Sequence, residues 1–432
     1  MFASLERIYE IYLEHPVIST DSRNVPEGSV FFAIKGDRFD GNEFASDALE
    51  RGASRVIIDE PDHWSDDRCI LVRNTLATLQ DLAHFHRLQT KIPVIAITGS
   101  NGKTTTKELI SAVLRKKYQI TYTEGNLNNH IGVPLSLLRI RQTDQVAVIE
   151  MGANHRGEIG FLCEIACPDF GIITNAGKAH LEGFGGTEGV ICAKTELYRF
   201  LERNNGKVFV NYTDSILMED SARLDRITYG TDERATVSGR IIPSGSFVCT
   251  EIRSGDGPPF TVLSNLFGEY NALNILAAAC IGDYFHVTGE DIRSAIESYQ
   301  PANNRSQVKT TDKNTLILDS YNANPSSMEA VLRFFAGSSY ENRTVILGDM
   351  LELGEESDDE HLNILKLIED LNFGEVYLVG PSFTRLNKRR DFTCFNDSGL
   401  AKLWFSHHPL NGRTILLKGS NGIKLEKIIE AL

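Results

Sequence analysis

The chain has 432 residues, and its 44 basic against 58 acidic side chains give a formal charge of 44 − 58 = −14. That length suits two to four domains. The acidic balance excludes a protein that coats nucleic acid through a basic face, while 41% hydrophobic and 24% charged residues exclude disorder as the dominant state.

No run of about 20 apolar residues occurs, so no membrane span is expected. The first residues, MFASLERIYEIYLEHPVIS, carry acids inside an apolar pattern and lack a signal-peptide layout. Cys69, Cys163, Cys167, Cys192, Cys249, Cys280 and Cys394 are scattered, odd in number and form no CxxC pair. A reducing, cytoplasmic location is therefore expected.

In chain order, residues 1–90 read as a small α/β unit. Apolar runs at 29–34 and 55–59 predict strands, and Leu76, Leu79, Leu82, Ala83 and Leu88 predict a helix over 75–90. From Val94 the texture changes to strand, glycine turn and helix. Short apolar runs (QVAVIEM, FGIIT, KVFVNY) then alternate with helical segments, which predicts βαβ units around a mostly parallel sheet over 91–301. Residues 226–266 read as an antiparallel edge of that sheet, and 135–141 and 272–282 as helices. From about 302 a third unit shows strands near 316–318, 344–347, 376–379 and 414–417, with helices at 326–335 and 361–371. This predicts a second doubly wound, Rossmann-like sheet.

The strongest local signal is Thr98-Gly99-Ser100-Asn101-Gly102-Lys103-Thr104-Thr105, between an apolar strand and a helix. Glycines let backbone N–H groups curl around phosphate oxygens, and the helix N-terminus adds positive potential. Lys103 can reach the outer phosphates, and the Thr104 hydroxyl can ligate Mg²⁺. The general pattern has glycine at 97, where this chain has Ile97, so the match is to a shorter form.

Glu150 ends the strand QVAVIE, where an acid beside a phosphate loop is placed to hold Mg²⁺. His180 follows the next strand; it reads as a loop residue or as a ligand. Residues 125–134 (GNLNNHIGVP) are rich in side-chain amides and read either as a capped loop or as a polar ligand contact. Lys194 sits in a helical run and by itself reads as a surface lysine. The acidic stretch 352–360 reads as a solvated loop and helix start.

Taken together, these motifs resemble the Mur ligase family in order along nearly the whole chain. They are DSR at 21–23, FFAIKG at 31–36 with FDG at 39–41, TGSNGKTTTKE, GNLNNHIGVPL, EMG, NAGKAHLEGFG, AKTE, GEYNALNILAA, LDSYNANPSSM, LGDMLELGEES with His361, and LLKGSNG. The resemblance implies an α/β fold in three domains: a small UDP-binding domain (1–90), a central P-loop ATPase domain with a parallel sheet (91–301) and a C-terminal Rossmann-like domain (302–432).

It also implies an ATP-dependent ligase of peptidoglycan synthesis that joins D-alanyl-D-alanine to UDP-N-acetylmuramoyl-tripeptide, expected to act as a monomer. Catalytic roles carry over to Lys103, His180, Lys194 and Arg305. The nucleotide is implied to meet residues 99–105, Asn271, Asn274, Arg305 and Asp319. Mg²⁺, two ions in all, is implied at Thr104, Glu150, His180 and a carbamylated Lys194. The UDP-sugar and peptide are implied at Ser22, Arg23, Lys35, Asn128, Asn129, Asn322 and Asn324. Departures from the family pattern stand at Asn42 and Tyr270, where histidine is common, and at Asn421, where arginine is common.

Three rivals are weighed. The ligase that adds the third residue carries a DNPR motif absent here. A folylpolyglutamate synthetase lacks the DSR and FFAIKG runs. A P-loop ATPase without ligation would release phosphate independently of both substrates.

Overall fold

The structure, a computed structural model, describes residues 2–36, 39–177, 181–245, 247–255, 257–302, 304–388 and 391–432. Three large sheets follow one another along the chain. The first has four parallel strands in the order Ile18–Ser19, Val30–Phe32, Arg55–Ile58 and Cys69–Leu71.

The second sheet has nine strands. Its strands run in the order Ile120–Tyr122, Val146–Glu150, Val94–Thr98, Phe170–Ile173, Lys207–Asn211 and Asp225–Gly230, all parallel. Val94–Thr98 and Val146–Glu150 are buried at every position, as expected of central parallel strands covered on both faces. Beyond them lie Val237–Ile242, Phe247–Ser254 and Phe260–Phe267. The predicted antiparallel edge starts later than expected. Asp225–Gly230 pairs parallel with both neighbours, and only the pairs between Val237 and Phe267 run antiparallel. Periodicity reports an extended chain but not the direction of its partner.

The third sheet has six strands in the order Gln307–Thr310, Thr315–Leu318, Thr414–Lys418, Arg343–Gly348, Glu375–Val379 and Thr393–Phe395. Only the first is antiparallel. The strand that comes last in sequence, Thr414–Lys418, inserts between Thr315–Leu318 and Arg343–Gly348, so the strand order reverses there. In the second sheet the reversal falls at Val94–Thr98, flanked by Val146–Glu150 and Phe170–Ile173. Open α/β sheets bind ligands at the carboxyl ends of strands at such points.

The helix Thr75–Gln89 does more than close the first unit. Buried Arg87 donates to Ala166 O at 3.0 Å and Cys167 O at 2.9 Å, and pairs with Asp169 at 2.8 Å. His86, also buried, lies 2.9 Å from Ile140 O. One hydrophobic core therefore runs from Ile8 and Val30 through Leu79, Ala96 and Ile149 to Leu332 and Leu347. The predicted helix over 135–141 is instead Gly132–Leu137. Asn129 Oδ1 accepts from the N–H groups of Ile131 and Gly132 and starts it early.

Candidate functional site

The carboxyl ends of the second and third sheets face each other across a cleft of about 760 Å³. Its floor is the loop after Val94–Thr98, which opens the helix Lys103–Leu114. Gly99 has φ +143° and Gly102 φ +79°. A β-carbon at Gly99 would fall 2.1 Å from Thr174 Oγ1, and one at Gly102 2.7 Å from Asn274 Oδ1. Only glycine fits either place.

The next strand's loop holds this one in shape. Ser100 N–H donates to Asn175 O at 2.9 Å, Asn101 N–H to Asn175 Oδ1 at 3.0 Å, and Thr174 Oγ1 to Asn101 O at 2.6 Å. The third sheet also reaches it: Asn324 Nδ2 donates to Asn101 Oδ1 at 2.7 Å. Lys103 Nζ folds onto the loop, 2.7 Å from Gly99 O and 3.3 Å from Ser100 O. Burial pushes its pKa down, Glu150 opposes that shift and Arg305 adds to it.

Glu150, 1% exposed, is fixed beside the loop. Thr104 Oγ1 lies 3.1 and 2.9 Å from its two carboxylate oxygens, and Asn128 Nδ2 donates to Oε1 at 2.9 Å. Lys107, wholly buried one turn along the helix, stands 3.8 Å from Oε2. Hydroxyl and carboxylate oxygens beside a phosphate cradle form a donor set that suits Mg²⁺, which takes one or two carboxylates and fills its shell with phosphate and water. Among the described residues no cluster of three or more His, Cys, Asp or Glu forms a metal site by itself. His180 lies outside the described residues.

Lys194, at the end of the helix Thr187–Lys194, is 1% exposed rather than on the surface, where the isolated motif would place it. Its Nζ sits 5.1 Å over the Phe184 ring. Burial, with Lys103 nearby, brings its pKa down to about 7.

Across the cleft, Arg305 stacks on the Tyr321 ring, 3.5 Å from guanidinium carbon to ring centroid. Asp319, just past Thr315–Leu318, takes a 2.6 Å hydrogen bond from buried Lys418. Asn322, Asn324, Asn128 and Asn129 line the same space. Asn271 and Asn274 line it as well, but both are largely committed to neighbours. Asn274 Nδ2 donates to Asn271 Oδ1 at 2.8 Å, Thr106 donates to Asn274 Oδ1 at 3.0 Å, and Asn271 Nδ2 donates to Phe267 O and Ser306 Oγ.

Among the described residues, none of the first sheet's unit lines the cleft. Ser22 is half-buried, and exposed Arg23 grips Asp21 through Nε and Nη2 at 2.9 Å, holding that carboxyl down to about 2. Lys35 pairs with Glu60 and, at 3.1 Å, with Asp40. Asn42 is wholly buried and spends its amide on Asp40, Asp59 and the Asp59 N–H, so this departure is a clip inside the unit. Tyr270 lines the cleft with its hydroxyl 3.4 Å from Ser306 Oγ. Exposed Asn421 opens a short helical turn beyond Lys418.

Sequence reasoning passed over Tyr321, Lys107, Lys418 and Asn175 as functional residues. For Lys107 a signal existed: it lies three, four and seven residues before Ile110, Ser111 and Leu114, on the buried face of its helix.

Three family models match the chain in sequence: the Mur ligase family catalytic domain over residues 16–100, the Mur ligase middle domain over 97–282 and the Mur ligase glutamate ligase domain over 304–393. A UDP-N-acetylmuramoyl-tripeptide–D-alanyl-D-alanine ligase of Bacillus subtilis (strain 168) is 32% identical, covering 98% of this chain and 94% of its own. The crystal structure of MurF from Acinetobacter baumannii superposes with a TM-score of 0.86 at 30% identity, covering 96% of this chain and 92% of the other. That of MurF ligase from Thermotoga maritima in complex with ADP gives 0.85 at 28%, covering 97% of each. With models matched along its length and a 32% identical relative spanning nearly all of it, the chain belongs to the Mur ligase family.

Proposed function

We propose that the chain joins D-alanyl-D-alanine to UDP-N-acetylmuramoyl-tripeptide at the expense of ATP, making the pentapeptide precursor of peptidoglycan. The third residue of the tripeptide is diaminopimelate or lysine. The observation that carries this reading is the shared cleft. A phosphate loop from one sheet and Arg305, Asp319, Asn322 and Asn324 from another face one space, tied by the Asn324–Asn101 hydrogen bond. The domains divide near residues 90 and 301.

A carboxylate has no leaving group, so it first takes the terminal phosphoryl group of ATP, giving an acyl phosphate and ADP. The amine of the dipeptide then attacks the acyl carbon, and phosphate leaves the tetrahedral intermediate. The first step spreads negative charge over the equatorial oxygens of the phosphoryl group. Lys103, Arg305 and the N–H groups at the start of Lys103–Leu114 face that charge with donors already in place. Lys103 exchanges its two loop carbonyls for phosphate oxygens. Both walls keep water from the acyl phosphate when they close on substrate.

Thr104 and Glu150 are the residues to hold Mg²⁺, with Lys194 as a carbamate and His180 for a second ion. Bound Mg²⁺ neutralises phosphate charge and orients the oxygens. Carbamylation requires a neutral amine. An ordinary lysine offers about 4 parts in 10,000 at pH 7, whereas Lys194, lowered to about 7, is neutral roughly half the time there. The UDP end is bound by the unit carrying Ser22, Arg23 and Lys35, with Asn128 and Asn129 reaching the sugar and peptide from the cleft. The enzyme works in the cytoplasm, where nucleotide-linked precursors are made.

The test is the mass of the product from UDP-tripeptide, D-alanyl-D-alanine and ATP. Phosphate release must depend on both acceptor and dipeptide, and Lys103→Ala must abolish it. Release that ignores either substrate would leave a P-loop ATPase without ligase activity.

A further inference from the structure

Arg305 is presented to the cleft by a turn that contains no glycine. Asn304 has φ +55° and Ser306 φ +48°, so the residues on both sides of Arg305 hold the left-handed conformation. Asn adopts it readily and Ser does not. Residues in such conformations persist where the surroundings over-determine them, and here they do. Ser306 is 4% exposed. Its N–H donates to Asp319 Oδ1 at 3.0 Å, its hydroxyl accepts from Asn271 Nδ2 at 3.2 Å, and the Tyr270 hydroxyl is 3.4 Å from the same oxygen. Asp319 is itself held by Lys418. The clamp thus draws on both sheets. Asn271, Tyr270 and Asp319 fix the turn that carries Arg305.

The guanidinium is held differently from those of Arg87 and Arg413. Arg87 spends its donors on carbonyls and Asp169, and Arg413 pairs with Glu375 at 2.6 Å. Among the described residues Arg305 has no carboxylate partner; it lies over the Tyr321 ring at 3.5 Å. A ring face attracts a cation without accepting its N–H groups, so among the described residues nothing draws on its five donors and they stay available to an anion.

We infer that Tyr321 is a positioning residue. Its ring holds the Arg305 guanidinium flat, with its donors unspent, where the terminal phosphate of ATP arrives, and so makes the protein prefer ATP to ADP. The inference rests on Arg305 being the terminal-phosphate contact named above. ADP has nothing to place there, so the effect of the ring must appear with a triphosphate and vanish with a diphosphate. A ring that merely walled the cleft would affect both alike.

Calorimetric titration of the full chain with Mg²⁺ and either ADP or a β,γ-non-hydrolysable ATP analogue tests it. Tyr321→Leu is expected to weaken the analogue about 3- to 30-fold, the span of a partly desolvated cation–π contact, and to leave ADP within about twofold. Tyr321→Phe, which keeps the ring, should stay within about threefold of wild type for both ligands. Tyr321→Leu added to Arg305→Ala should cost nothing beyond Arg305→Ala. Equal weakening of analogue and ADP by Tyr321→Leu, or no weakening of either, would overturn the inference while leaving Arg305 in place. An unchanged ratio of analogue to ADP affinity in Arg305→Ala would instead remove the reading of Arg305, and this inference with it.

Discussion

The two walls of the cleft each carry an acid at the tip of a buried parallel strand, each with a buried lysine close by, yet the two pairs are built differently. Asp319 and Lys418 are in contact at 2.6 Å, and the other Asp319 oxygen accepts the Ser306 N–H. Glu150 and Lys107 stand 3.8 Å apart, Lys107 lies closer to Glu108 Oε1 at 3.0 Å, and the hydrogen-bond donors on Glu150 are the neutral groups of Thr104 and Asn128. In a low-dielectric site a contact ion pair uses up the field of its anion, whereas neutral donors orient a carboxylate and leave its charge to act on something else. Distance to the lysine, not residue type or position on the strand, is what sets the two acids apart.

Glu150→Gln breaks the comparison most severely. It keeps the shape and removes the charge, so ligation should fall by roughly a thousandfold, the scale for losing a preorganised electrostatic group. The fold should be little disturbed, because no contact ion pair is lost. Initial rates at saturating ATP and a melting curve decide it. Retained turnover would mean that the charge of Glu150 serves the fold and not the reaction.

The next effect in size is at Lys194. Lys194→Ala should lower turnover about a hundredfold while ATP affinity holds. The unmodified amine can be read directly through pH. Its pKa falls from 10.5 to about 7 on folding, so between those values the unfolded chain binds more protons than the folded one. Stability of CO₂-free protein should therefore rise from about pH 7 toward 10. Bicarbonate, by converting the amine to a carbamate in the folded chain alone, should raise stability, carry that slope below pH 7 and restore activity lost on stripping CO₂. A stability that bicarbonate does not raise, at pH 7 or below, would count against the modification.

Asp319→Asn should show the opposite signature to Glu150→Gln. It leaves Lys418 buried without its counter-ion, which costs about 3 kcal/mol by the usual scale for breaking a buried pair. Turnover in the folded fraction should fall only about tenfold, through the loosened Arg305 turn. Denaturant midpoint and rate, measured on one preparation, separate the two losses. A variant as stable as wild type would show that the 2.6 Å contact is not what holds this wall.

Much of this was legible in the chain. Strand, glycine loop and helix announce themselves because only one backbone path suits Gly99 and Gly102, and alternating apolar runs foretell sheets buried on both faces. Asn101, Thr104, Glu150, Arg305, Asp319 and Asn324 meet in one cleft as their motifs implied. What stayed hidden depends on partners far away in sequence. Nothing local says that strand Asp225–Gly230 pairs parallel, that Lys194 is buried, or that Arg305 rests on Tyr321. Asn42, a departure from the family pattern, is a buried clip between Asp40 and Asp59, which a motif cannot reveal because it records identity and not burial.

The smallest expected effect lies in the first unit, at an acid–base pair exposed on both sides. Arg23 grips Asp21 with side chains 88% and 47% exposed, and water screens such a pair so well that breaking it should leave the melting temperature unmoved. The residue matters only if a ligand competes for the guanidinium, since a bidentate fork that now holds a carboxylate can equally hold a phosphate. Arg23→Ala should therefore raise the KM for UDP-tripeptide several-fold, about the worth of one surface phosphate contact, with kcat and the KM for ATP unchanged. Uniform binding energy lost in this way appears in KM alone. Such a split would set this unit apart from both cleft walls, where kcat or stability must move. A wild-type KM in both Arg23→Ala and Lys35→Ala would place the UDP end on other residues of the chain.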